Sequence, residues 1–128
     1  MTEPLLDPDS SREYLRDWKG RVDRAAATAQ ALSERLEGLR ISAADGNGLV
    51  EVTIDSSGVL VSVAFTERIQ RVAPEAVSRA VMTALGIARR EAAEISRRII
   101  DETMGPGSTA GRVIEEQVLR QLRGTADE

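Results

Sequence analysis

From Leu15 onward, apolar residues return at spacings of three and four, through Trp18, Val22, Ala25, Ala29, Leu32, Leu36 and Leu39. That is an a/d seam of about three and a half heptads, and it predicts one long helix. Ser10 and Glu13 fit a capping box at its start, Ser10 bonding the Glu13 amide and Glu13 reaching back. Such a seam is narrower than the apolar stripe of a helix lying on a globular core. About 30 residues at ~1.5 Å each reach about 45 Å, against a radius of gyration of about 14 Å for a compact chain of this length. The helix must protrude, so its seam needs this chain's second helix, another copy, or both.

The pattern then changes from a helical period to strict alternation. Val50, Val52 and Ile54 alternate with Glu51, Thr53 and Asp55, and after Ser57-Gly58 the residues Val59, Val61, Val63 and Phe65 alternate with Leu60, Ser62 and Ala64. This is a hairpin signal. A loop with an even residue count, either Ser57-Gly58 or Asp55 to Gly58, sets Val and Ile opposite Val and Phe, whereas an odd loop would set Val52 opposite Ser62. The even loop is therefore expected, with Gly58 supplying a positive φ. Before the hairpin, Ile41-Ser-Ala-Ala leads into Asp45-Gly-Asn-Gly48, a short first strand and its turn. Three strands leave two edges that a partner sheet or a helix must cover.

Thr66 to Val72 reads as a connector with room for one helical turn. A second long helix follows, with Pro74 in its first turn, Glu75 at its positive end and Met104-Gly-Pro-Gly107 as its stop. Val77, Val81, Ala84, Ala88, Ala92, Ile95 and Ile99 make its apolar stripe, broadened by Leu85, Ile87 and Ile100. The chain thus divides into a mobile tail at 1–9, a domain at 10–104, and a linker with a weak amphipathic segment at 105–128. About 14 amphipathic residues are marginal as an isolated helix. The fold class is α/β of the α+β type: long helix, three-stranded antiparallel meander, long helix.

Composition narrows the chemistry. The 128 residues include no Cys and no His, which removes disulfides, thiolate or imidazole metal ligands, cysteine and Ser-His nucleophiles, and the commonest general base. The remaining carboxylates form no paired acid/base site and no metal loop. The expectation is therefore of no enzyme, no cofactor and no metal. The net charge of −4 disfavours indiscriminate binding to polyanions. The cations are nearly all arginine, Lys19 being the one lysine, and arginine suits phosphate and carboxylate forks. No apolar run approaches the ~20 residues of a membrane span, so a cytoplasmic location and no membrane partner are expected.

Gly48-Leu-Val-Glu-Val-Thr-Ile-Asp-Ser-Ser-Gly58, set between two such helices, resembles the bacterial YbaB/EbfC family. The resemblance spans roughly residues 12–104. It implies a tweezers-like homodimer with the two sheets meeting centrally and the helices projecting as arms, and a nucleoid-associated protein that binds double-stranded DNA. A more distant branch, encoded beside type VII secretion systems in actinobacteria, shares the fold, and Ala73-Pro-Glu-Ala-Val-Ser-Arg-Ala-Val81 looks closer to that branch. A protein-binding adaptor on the same fold, linked to such a system, is the alternative function.

With neither a recognition helix nor an aromatic stacking platform in view, DNA contacts are expected from cations to phosphates, with little base reading. Arg12, Arg16, Lys19, Arg21 and Arg24 form one candidate group, and Arg89, Arg90, Arg97 and Arg98 the other. Acidic neighbours make a solvated face with ion pairs such as Glu94 to Arg98 the plainer explanation for the second group. The expected dimer interface is Leu15, Trp18 and Val22 on the seam, with Val50, Val52, Ile54, Val61, Val63 and Phe65 on the sheet.

Overall fold

The computed structural model describes residues 8–127. Helix α1 runs from Pro8 to Glu37, strands β1 (Arg40–Ala44), β2 (Val50–Asp55) and β3 (Leu60–Phe65) follow, then a 3₁₀ turn (Glu67–Arg71), helix α2 (Pro74–Met104) and helix α3 (Thr109–Asp127). The strands form an antiparallel sheet in the order β1-β2-β3. The expected α+β meander between two long helices is therefore the observed one.

Several boundaries differ from the sequence reading. Helix α1 begins at Pro8, so Ser10 lies inside the first turn instead of capping it. Proline needs no N–H partner there, and its fixed φ suits the first helical position. Of the expected tail, Pro8 and Asp9 are helical, and residues 1–7 lie outside the described residues.

The hairpin reaches the expected pairing by an unexpected route. Val50 faces Phe65 and Val52 faces Val63. Yet, counted from the Asp55–Val59 pair that the Asp55 amide closes on the Val59 carbonyl at 3.0 Å, the loop is the odd, three-residue Ser56 to Gly58, within the four residues between the two strands. One extra β3 residue opposite Thr53 and Ile54 absorbs the odd count and restores the apolar register. The Asp55 carboxylate shapes the turn, accepting from the Ser57 and Val59 amides at 2.8 and 3.1 Å. Gly58 has φ 84°, as a loop ending in the left-handed region requires.

Helix α2 lies across β1 and β2 and hardly touches β3. Ala80, Ala84, Ala88 and Ala92 recur every fourth residue, one face of a helix, and their small side chains let the sheet approach closely. Beneath them are Ile41, Ala43, Val50, Val52 and Ile54, all buried. The C-terminal third of the α1 seam closes within the chain: Leu32 packs with Ile99 and Ile100, flanked by Leu36 and Leu39. Arg35 fastens the same contact, donating to Glu102 Oε2 at 2.9 Å and Thr103 Oγ1 at 3.0 Å.

The weak amphipathic segment near the C-terminus forms helix α3. After Gly105 and Gly107, both with positive φ, the chain turns back and α3 packs antiparallel on α2. Gly111 sits against Ile100, Glu115 meets Arg97, and Leu122 reaches Gly58 at the hairpin tip. Val118 and Leu122 are buried in the main core. Burying such side chains contributes roughly 1.5–3 kcal/mol each, enough to hold a helix that would be marginal alone.

Candidate nucleic-acid interface

No residue of α1 before Leu32 is buried. From Pro8 to Leu32 that is about 36 Å of helix at ~1.5 Å per residue, projecting past the end of α2. Leu15, Trp18 and Val22 are exposed along it, Trp18 by 52%. The upper seam, unlike Leu32 to Leu39, is thus left open by its own chain.

All five candidate cations of α1 are on this free arm and exposed. At 100° per residue, Arg12, Arg16 and Lys19 fall within about 60° of one another, beside the apolar seam. Asp9 and Asp23 bound the stripe at its two ends. Arg21 and Arg24 turn to the other flank, among Glu13 and Asp17, where neighbouring carboxylates offset them. The structure therefore separates a cationic stripe of three from a mixed face.

The α2 candidates lie apart from that stripe. Arg90 and Arg98 are exposed. Arg97 donates through Nε to Glu115 Oε1 of α3 at 3.0 Å, in the segment that reads from sequence as weakly amphipathic. Arg89 is half-buried near the hairpin tip, and its Nε, shielded from solvent, has no hydrogen-bond partner among the described residues. The nine cations do not form one site within a single chain.

The sheet residues expected at a dimer interface also divide. Val50, Val52 and Ile54 are at most 2% exposed. They are core residues covered by α2 of their own chain, and the sequence alone does not tell which sheet face α2 covers. Val61 and Phe65, on the edge strand that α2 leaves bare, are 52% and 51% exposed, and Val63 is half-buried. Val59 and Leu60 extend the exposed apolar edge.

One anchoring residue went unnoticed because Asp-Gly-Asn-Gly reads simply as a turn. The buried Asp45 carboxylate accepts from the Leu49 and Val50 amides at 3.0 and 3.1 Å and from the Asn47 amide at 3.3 Å. Burial alone would raise its pKa, but the amides of Val50, Leu49 and Asn47 together outweigh it and hold the pKa below the ordinary 3.8. A depressed carboxylate pKa contributes stability above the unfolded-state value and loses it as pH falls through the folded one. Asp45→Asn should therefore unfold at lower urea concentration than the native chain at pH 7. The difference should shrink as pH drops below 3.8, as followed by circular dichroism.

A long free arm carrying a cationic stripe, and a three-stranded sheet with one apolar edge left bare, define a small α+β binding protein. The profile of the YbaB/EbfC DNA-binding family matches residues 15–107, from the arm to the end of α2, and the chain belongs to that family. Helix α3 lies beyond the matched stretch. No curated protein matches the chain, and the association with type VII secretion is not borne out. No helix among the described residues is long and apolar enough to cross a membrane.

Proposed function

We propose that the protein is a non-enzymatic, nucleoid-associated component of the bacterial cytoplasm that binds double-stranded DNA as a homodimer, holding phosphates with little sequence preference. Membership of a DNA-binding family carries the reading. The stripe of Arg12, Arg16 and Lys19, on a stretch of α1 in which no described residue before Leu32 is buried, supplies the chemistry. A chain with net charge −4 needs such a local concentration of positive charge to hold a polyanion. The homodimer is supported by the bare β3 edge, an exposed apolar strand that natural proteins cover, and by the open seam at Leu15, Trp18 and Val22.

The test is a titration of the protein into fluorescent duplex DNA of mixed sequence, read by anisotropy at several salt concentrations. Two copies of the three-cation stripe make six phosphate contacts, so log affinity should fall against log salt with a slope of about −5 or steeper. Absence of binding at low salt would refute the reading. For the dimer, the double variant Val61→Asp with Phe65→Asp should sediment as a monomer while keeping its helical circular dichroism. A native chain that is itself monomeric at micromolar concentration would refute the assembly.

A further inference from the structure

We infer that helix α3 completes a second phosphate-holding site, in which Arg123 joins Arg89 and Arg90 around a groove between α2 and α3, and that the occupant is the backbone of duplex DNA. The inference rests on the DNA-binding reading above and extends it to a helix outside the family-matched stretch. The groove has a volume of about 240 Å³, with Gly86, Ala93, Leu119 and Leu122 as its apolar floor and Arg89, Arg90 and Arg123 as its polar lining. It is lined by three guanidinium groups and no carboxylate, in a chain whose acids outnumber its bases. The neighbouring face of α2 is different in kind, since Glu91 and Glu94 stand there among Arg90 and Arg97.

Arg89 is set deeper than the other two arginines. Its Nε is shielded from solvent with no hydrogen-bond partner among the described residues, and it lies near Gly58 and Leu122 at the hairpin tip. That nitrogen is closed to any ligand, so phosphates would be met by the guanidinium groups that line the groove, those of Arg90 and Arg123 being exposed. Charge complementarity thus selects an anion, and the outward-facing Arg90 and Arg123 select an extended one that can meet several guanidinium groups at once. Docking of α3 through Val118 and Leu122 brings Arg123 to the α2 pair, so the helix contributes to the binding surface instead of shielding it.

The experiment compares native protein, Arg123→Gln and Arg123→Lys in the same anisotropy titration with a mixed-sequence duplex of about 30 base pairs. Arg123 is exposed, so neither change removes a packed group, and thermal unfolding should be unaltered. Arg123→Gln should weaken binding about tenfold near 0.1 M salt and make the salt slope shallower by about two, one contact from each copy. Arg123→Lys, which retains the charge, should keep the native slope. If Arg123→Gln superimposes on the native curve, or binds more tightly because α3 shields the DNA surface, the inference is overturned while the general reading survives. If the native protein fails to bind at low salt, both fall.

Discussion

Exchanging Arg12, Arg16 and Lys19 together for Glu should lower the affinity for duplex DNA by more than 100-fold near physiological salt, with no change in thermal stability. Each phosphate contact contributes about 0.9 to the slope of log affinity against log salt. Removing six contacts from a dimer should therefore flatten the slope by about five. Repulsion of the new carboxylates by the phosphates adds to the loss. Stability should hold because no residue of α1 before Leu32 is buried, and exposed charge changes away from special features stay within about 0.5 kcal/mol. The matching change at Arg21 and Arg24, on the face shared with Glu13 and Asp17, should have a much smaller effect. A triple variant within threefold of native affinity would remove the arm from the binding surface.

The second large effect concerns the fold itself. Val52→Asp should leave no cooperative unfolding transition at 25 °C. Val52 has 0% of its surface exposed and lies beneath the alanine face of α2, with Ile41, Val50 and Ile54 around it. A carboxylate there has no partner, and its burial costs several kcal/mol even after relaxation. The lost apolar packing comes on top. Domains of this size are stable by about 5–15 kcal/mol, so the penalty is comparable to the whole. Val61→Asp is the control: on the adjacent strand but 52% exposed, it should unfold cooperatively and alter only assembly. A cooperative transition for Val52→Asp would contradict the placement of β2 in the core.

The two long helices and the meander were legible because their signals are periodic. Heptad spacing marked α1, alternation marked the strands, and Pro74 with Gly105 bracketed α2 to the residue. Pairing of Val52 with Val63 was legible too, though the loop that produces it was not. Periodicity shows which side chains must face one another, but not whether an even loop or an odd loop with an extra residue achieves it. Helix α3 was missed because its segment, read alone, buries too little to be stable. Its stability comes from a groove on α2 that only the folded chain provides. Counting cations gives the two candidate groups, but only geometry separates the open stripe of Arg12, Arg16 and Lys19 from Arg97, which Glu115 occupies. Val50, Val52 and Ile54 lie in the core of the single chain, a placement the sequence does not reveal because an apolar strand face looks the same whether its own helix or a partner covers it.

The open arm of α1 has a thermodynamic consequence. Helical order in proteins comes chiefly from tertiary packing, and from Pro8 onward no described residue before Leu32 is buried. Amide protection in hydrogen exchange should decline outward from Leu32, where the docked portion ends. Any partner that settles on Leu15, Trp18 and Val22, or on the cations beside them, must first suppress this fraying, and the ordering free energy is subtracted from its affinity. Assembly and DNA binding would each order the same segment, so whichever occurs first lowers the cost of the other. If the proposed dimer and DNA contacts both fall on this arm, it would couple the two events through order alone, without any change in the shape of the body to which it is attached.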